Sequence, residues 1–197
     1  ALRLRDEPDG AYQQRIIQRG KATRDMVDSK DKTSRKVQDH YSVNAMTYRN
    51  HYDPENLHKS PTYPAEYFRL HNLLQRLEEV GAKRVLDAGC GEGTPLLKVS
   101  ELGAEVRGFD FTAEMVSEAK ELFAAHSLDP DWVIMGDVEK YDSFSALVGD
   151  TLFDAAVCFG VLPHVNDDQL ALENLRRSVK SGGRVVVQSD QGREFTA

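Results

Sequence analysis

Cysteine, tryptophan and long apolar runs are scarce in this chain of 197 residues, and positive charge is outnumbered. Two cysteines, Cys90 and Cys158, exclude a disulfide scaffold and favour reduced thiols in a cytoplasmic protein. No run of about 18 apolar residues occurs, so we expect no membrane-spanning helix. A signal peptide is not expected either, because the chain does not open on an apolar segment. No Cys/His spacing suits a metal site, so we predict no catalytic metal.

Charge is distributed unevenly along the chain. The formal net charge is −7, which makes nucleic acid an unlikely partner. Residues 1–40 nevertheless hold ten Lys and Arg against seven Asp and Glu, and residues 41–80 hold five of the seven tyrosines. We therefore predict a polar helical extension over 1–40, a helical and aromatic lid over 41–80, and an α/β core over 81–197.

After the lid segment, short apolar runs alternate with segments of helical spacing. This alternation predicts a doubly wound, mostly parallel sheet with helices on both faces. Thr94-Pro95 and Thr112 predict helix starts, and Asn166 with Gln169 resembles a capping box. The predicted strands are 84–88, 105–109, 131–135, 153–159 and 184–188.

Three glycines within five residues follow the first predicted strand, in VLDAGCGEGT at 85–94. Glycine permits positive φ and a close approach of ligand to backbone, and the following helix start offers unpaired N–H groups. A dinucleotide turn requires G-x-G-x-x-G, but here the third glycine is Gly93 and position 94 is threonine. Asp87 would be unfavourable beside a pyrophosphate and suits a cationic ammonium group. The turn therefore favours a different adenosine cofactor.

The segment VLDAGCGEG at 85–93 resembles the first motif of class I S-adenosylmethionine-dependent methyltransferases. FDAAVCFGVLPHV at 153–165 is similar to the fourth-strand motif, and LRRSVKSGGRVVV at 175–187 to the helix and strand that follow it. The resemblance covers about residues 80–190. It implies a Rossmann-like methyltransferase fold, S-adenosylmethionine as cofactor, and methyl transfer to an O or N atom of a small molecule, as in UbiE/UbiG-like or natural-product tailoring enzymes.

The resemblance also implies a set of cofactor-binding residues. Asp110, at the end of the second strand, would bind the ribose diol, because a carboxylate accepts both hydroxyl hydrogens. Asp137 would accept from the adenine amine, Phe111 could lie against adenine, and Tyr48 would lie near the sulfonium. The full set is Tyr48, Asp87, Ala88, Gly89, Cys90, Gly91, Asp110, Phe111, Met115, Gly136, Asp137, Val138 and Phe159.

The end of the chain departs from the family pattern. The family sheet has seven strands, of which the last two form an antiparallel hairpin, whereas only SDQGREFTA follows the fifth predicted strand. An exposed edge strand invites pairing, so we expect further chain or a partner strand at this edge. A homodimer is one such arrangement.

Methyl transfer is an in-line displacement, and a hydroxyl or protonated amine acceptor must also lose a proton. His164, just after the fourth strand, is the candidate base, since its ordinary pKa lies near 6.5. His51 and His58 are rival bases, and His164 could instead be structural.

Three other functions remain open from the residues. One is a methyltransferase acting on tRNA or protein, for which the basic first segment is the only support. The second is a methyltransferase-like binding or scaffold protein without turnover. The third is a nicotinamide-dependent oxidoreductase, which the glycine spacing disfavours.

Overall fold

The computed structural model describes residues 35–45, 47–59 and 63–188. The chain divides into two compact units, 1–37 and 38–197. Of the first unit only residues 35–37 are described, and they are helical. Most of the predicted polar extension and the whole tail SDQGREFTA therefore lie outside the described residues, and the three-part division stays a prediction.

The described part of the second unit forms a five-stranded sheet in the order β3-β2-β1-β4-β5, and every neighbouring pair is parallel. This confirms the predicted Rossmann-like architecture. The strands are β1, Arg84–Ala88; β2, Glu105–Asp110; β3, Val133–Met135; β4, Phe153–Phe159; and β5, Val179–Gln188.

Helices connect the strands and precede the first of them. They are α1, residues 38–45 and 47–48; α2, Tyr63–Glu79; α3, Thr94–Glu101; α4, Ala113–Ala125; α5, Ser145–Val148; and α6, Asp168–Ser178. Gly81 ends α2 with a φ of +62°, and the next N–H, of Ala82, donates to the carbonyl of Leu77.

Alternate residues of the central strands enter two separate apolar cores, one on each face of the sheet. Val85 joins one core with Leu73 and Phe123, while Leu86 joins the other with Phe144. Burial on both faces explains why the strands read as continuous apolar runs rather than as an alternating pattern.

Four local predictions were wrong. The third strand begins at Val133 rather than at residue 131, since Pro130–Trp132 forms a 3-10 turn. Gly93 rather than Thr94 caps α3, and the Thr94 side chain instead binds Glu92. Asp167 rather than Asn166 caps α6, because its carboxylate accepts from the N–H of Leu170. The fifth strand begins five residues earlier than predicted, because its pairing with β4 contains a register shift at Phe153–Ala155.

The strand order places the candidate site. Going along the chain, β1 is followed on one side by β2 and β3, and on the other by β4 and β5. The connections therefore diverge at β1 and leave a crevice at its carboxyl end, where open parallel sheets bind their ligands. Asp87, Ala88 and the glycine turn lie at this end of the sheet.

Candidate functional site

The glycine turn between β1 and α3 is fixed to the end of β2. The N–H groups of Gly89 and Cys90 both donate to the carbonyl of Phe109, at 2.8 and 3.1 Å. Gly89, Gly91 and Gly93 all have positive φ, at +82°, +55° and +91°. Positive φ favours glycine, and because glycine has no side chain, the backbone at these three positions is open to a ligand.

Cys90 within the turn and Ala88 just before it point into the protein. Cys90 is buried, and a Cβ at Gly108 of β2 would lie 3.0 Å from its sulfur. Ala88 is also buried. These two residues can therefore offer a ligand their backbone and not their side chains.

Two carboxylates face the turn. Asp110 accepts hydrogen bonds from the N–H of Gly91, at 2.9 Å, and from the N–H of Thr112, at 2.8 Å. Burial raises the pKa of Asp110, although these bonds oppose the shift. Burial, and next the charge of Asp110, raises the pKa of Asp87 to about 7. A positively charged ligand beside this pair would stabilise both carboxylates in their ionised form and so lower both pKa values.

The residues after β3 and at the start of α4 form another side of the crevice. The Gly136 N–H donates to the carbonyl of Asp110 at 2.9 Å. The Asp137 carboxylate already accepts from the Glu139 N–H and pairs with Lys140 at 2.8 Å. The other residues expected to contact the cofactor differ in exposure. Val138 and Met115 are buried, Phe159 is half-buried, and Phe111 is 37% exposed.

Helix α1 reaches the ends of β2 and β4. Gln38 donates to the carbonyl of Phe111 at 3.3 Å, and the Ser42 hydroxyl donates to Glu114 at 2.7 Å. The hydroxyl of Tyr41 lies 3.2 Å from Nε2 of His164, and which group donates depends on the histidine tautomer. The segment that carries the predicted tyrosines therefore lies beside the predicted base.

Aromatic rings continue from Tyr41 along the same segment. The rings of Tyr41 and Tyr48 are 5.9 Å apart, and the ring of Tyr48 stacks on His51 at 4.6 Å. Burial and the neighbouring Tyr41 and Glu66 hold the pKa of Tyr48 well above its usual value, so Tyr48 stays protonated at neutral pH. The structure thus brings Tyr48 and His164 together through Tyr41.

Sequence reasoning missed a buried acid inside the glycine turn. Glu92 is 1% exposed and accepts from both the N–H and the hydroxyl of Thr94, at 3.2 and 2.8 Å. Its remaining partner is Arg49, whose Nε donates at 3.3 Å and whose Nη2 lies 3.8 Å from Glu118 of α4. A charged residue between two glycines was the available signal, but the sequence did not indicate its partner.

Neither a metal cluster nor a membrane-spanning helix is found in the part of the chain that the structure describes. No group of three or more His, Cys, Asp or Glu side chains there could hold a metal ion. No helix among those residues is long and apolar enough to cross a bilayer.

Comparison with known proteins identifies relatives. The methyltransferase domain family matches residues 86–187, more than half of the chain. The ubiquinone biosynthesis O-methyltransferase of Pectobacterium carotovorum subsp. carotovorum (strain PC1) is 32% identical over 125 residues, which is 64% of this chain and 50% of that protein. The corresponding protein of Alkalilimnicola ehrlichii is 30% identical over 160 residues, 79% of this chain and 61% of that protein.

A solved structure shares the fold. Magnesium protoporphyrin IX methyltransferase from Synechocystis PCC 6803, crystallised with bound SAM, superposes with a TM-score of 0.59 at 19% identity, covering 75% of this chain and 72% of that one. The chain spans about half the length of the first curated relatives it matches.

The family match includes the glycine turn, Asp110, and the ends of β3 and β4. The parallel sheet has its topological switch at β1, and the solved structure shares the overall fold. From the match and the architecture together, the chain belongs to the methyltransferase domain family, with the Rossmann-like fold of the class I enzymes.

Proposed function

We propose that this protein transfers a methyl group from S-adenosylmethionine to an oxygen atom of a small molecule. The observation that carries the proposal is a pair of acids, the buried Asp87 and the half-buried Asp110, beside a turn of bare glycine backbone. Two carboxylates repel a pyrophosphate and attract a sulfonium, an ammonium and a diol. The charge of the site therefore favours a sulfonium nucleoside over a dinucleotide.

The residues present fit this cofactor. The backbone at residues 88–91 would contact its amino-acid part, with Asp87 near the ammonium and Asp110 accepting from the ribose diol. Phe111, Met115 and the segment Gly136–Val138 would surround the adenine. Tyr48 and Phe159, the two remaining residues of the expected set, would lie near the sulfonium.

The cofactor supplies a methyl group already activated by the sulfonium, and the protein supplies alignment and proton removal. Helix α1, with Gln38 and Tyr41, contacts the loops after β2 and β4, where it would limit the access of water to a bound acceptor. His164, exposed and bonded to Tyr41, would take the proton of an acceptor hydroxyl as the methyl group is transferred.

An oxygen acceptor is supported by the names of the relatives, which are O-methyltransferases of ubiquinone biosynthesis. We extend to this chain only the class, a hydroxyl on a small molecule, with an amine as the second acceptor. A cytoplasmic location and a homodimer belong to the same proposal, as does the absence of nucleic-acid binding. The net charge of −7 supports the last of these.

A panel of acceptors tests the reaction. Purified protein is incubated with S-adenosylmethionine and separate phenols, aliphatic alcohols, amines, bulk tRNA and a protein lysate, and release of S-adenosylhomocysteine is measured. We expect release with a hydroxylated small molecule. Release only with tRNA or protein would contradict the substrate class. Tight cofactor binding with no release on any acceptor would indicate a scaffold protein.

Asp110→Asn should weaken cofactor binding. The substitution keeps the shape but removes the charge that would accept from both ribose hydroxyls. Hydrogen bonds to a charged group contribute about 1.5–3 kcal/mol, so calorimetry should show a dissociation constant for S-adenosylhomocysteine about 10- to 100-fold higher.

Asp129→Asn is the matched control for this substitution. Asp129 accepts from the N–H two residues on, at 2.9 Å, as Asp110 does, but it precedes the amino end of β3, whereas Asp110 lies at the carboxyl end of β2. The Asp129→Asn substitution should leave the affinity for S-adenosylhomocysteine unchanged. Equal affinities for the wild type and Asp110→Asn would remove Asp110 from the site.

His164→Ala should lower turnover about 100-fold or more while leaving cofactor affinity within about twofold, because general-base catalysis typically contributes that factor. The loss should be largest near pH 7 and diminish at alkaline pH, where hydroxide or an ionised acceptor replaces the base. His71→Ala, an exposed histidine on α2, is the control. Wild-type rates in His164→Ala would mean that the base lies elsewhere, with His51 and His58 next to be tested.

A further inference from the structure

Arg49 joins the aromatic segment to the cofactor turn. It opens the short helical turn Arg49–Tyr52, directly after Tyr48. Its Nε donates to Glu92 at 3.3 Å, and its Nη2 lies 3.8 Å from Glu118. One guanidinium therefore contacts the glycine turn and α4, the two elements on either side of the cofactor crevice.

The two partners in this contact have unequal exposure. The Arg49 side chain is 48% exposed, whereas that of Glu92 is 1% exposed. An acid this deeply buried between Gly91 and Gly93 needs a compensating charge, because an uncompensated buried carboxylate is strongly destabilising. An ordinary surface ion pair contributes little, but this one fixes a buried charge within the turn itself.

Tyr52 is the last residue of the same helical turn. Burial, followed by the charges of Tyr48, Glu66, Glu92 and Asp87, holds the pKa of Tyr52 well above its usual value, so its hydroxyl stays protonated at neutral pH. Tyr48, at the other end of the turn, stacks on His51 within it.

We propose that Arg49 is a positioning residue of the cofactor site: through Glu92 it holds the turn Arg49–Tyr52, and with it Tyr48 and Tyr52, against the glycine turn. This inference rests on the proposed function, because it takes the crevice to be the S-adenosylmethionine site. It adds a role for two residues, Arg49 and Glu92, that touch no reacting atom. The ion pair acts by fixing the wall of the site rather than by contacting the ligand.

The double variant Arg49→Met/Glu92→Gln separates positioning from stability. Arg49→Met alone leaves the Glu92 charge buried without its partner, so it should lower the melting temperature. Removing both charges restores neutrality, and glutamine can still accept from Thr94. We expect the double variant to melt within about 2 °C of the wild type while its dissociation constant for S-adenosylmethionine rises about tenfold. Arg49→Lys, which keeps the charge but not the forked geometry, should show an intermediate affinity.

Arg76→Met/Glu79→Gln is the control, since it removes a 3.0 Å ion pair on the exposed surface of α2. It should change neither the melting temperature nor the affinity. If the Arg49→Met/Glu92→Gln variant matches the wild type in both melting temperature and affinity for S-adenosylmethionine, Arg49 only neutralises the charge of Glu92, and the inference is wrong. If the wild type itself does not bind S-adenosylmethionine, the proposed function has failed, and that result is distinguishable because it appears before any substitution is made.

Discussion

Gly89→Ala is expected to abolish cofactor binding and to destabilise the protein by several kcal/mol. Gly89 has a φ of +82°, a region that costs a residue with a Cβ about 1–3 kcal/mol. An added Cβ would also lie 2.1 Å from Cγ2 of Val161, in the loop after β4. Overpacking of this kind costs about a further 1–3 kcal/mol. Urea unfolding measures the stability, and calorimetry with S-adenosylhomocysteine measures the binding.

Gly103→Ala separates the two contributions. Gly103 has the same φ of +82°, but a Cβ there would meet nothing within 4 Å. The Gly103→Ala variant should therefore lose only the stability that a Cβ at positive φ costs, and its ligand affinity should be unchanged. Adding Val161→Ala to Gly89→Ala should recover the packing part. Equal losses in the free energy of unfolding for Gly89→Ala and Gly103→Ala would mean that the structure relaxes around the contact with Val161 at no cost in stability.

Asp87→Asn is expected to stabilise the ligand-free protein at alkaline pH while weakening ligand binding. Burial, and then the charge of Asp110, raises the folded-state pKa of Asp87 from 3.8 to about 7. A carboxyl whose folded pKa is raised favours folding below its unfolded pKa, and this advantage is lost as pH rises from about 4 to about 7. A difference of about three units corresponds to about 4 kcal/mol, so we expect a gain of about 2–4 kcal/mol at pH 8.

Unfolding of Asp87→Asn and wild type at pH 4 and pH 8 provides the measurement. The two proteins should converge at pH 4 and differ at pH 8. Asp154→Asn should show the opposite sign at pH 8, because Lys180 and two backbone N–H groups lower the pKa of Asp154. A wild type as stable at pH 8 as Asp87→Asn would show that the Asp87 carboxylate is ionised without cost.

The local features of the site could be predicted because they lie close together in sequence. Strand β1, the glycine turn and all of α3 lie within residues 84–101, and Asp110 ends the next strand. The turn conformation restricts each of these positions to few residue types. Sequence reasoning therefore predicted the five strands, their parallel direction and the glycine turn as the candidate cofactor site.

The contacts between distant segments could not be predicted in the same way. Arg49 and Glu92 are 43 residues apart, and Tyr41 and His164 are 123 apart. Neither pair has a periodic or motif signal, because an ion pair or a single hydrogen bond constrains residue type only weakly. The early start of β5 was missed because Gly182 and Gly183 favour a turn, and only the pairing with β4 extends the strand through them.

The strand order also affects how quickly the fold can form. Val85 pairs with Val106 on one side and with Ala155 on the other, so the central strand gains its second neighbour only after some seventy residues of intervening chain have been ordered. Contacts of such wide separation carry a large loop-closure entropy and slow folding. The half-sheet β3-β2-β1 can assemble first, which leaves one side of β1 open until β4 arrives. In that interval the chain is most exposed to misfolding and self-association, so a chaperone would have its greatest effect on yield there.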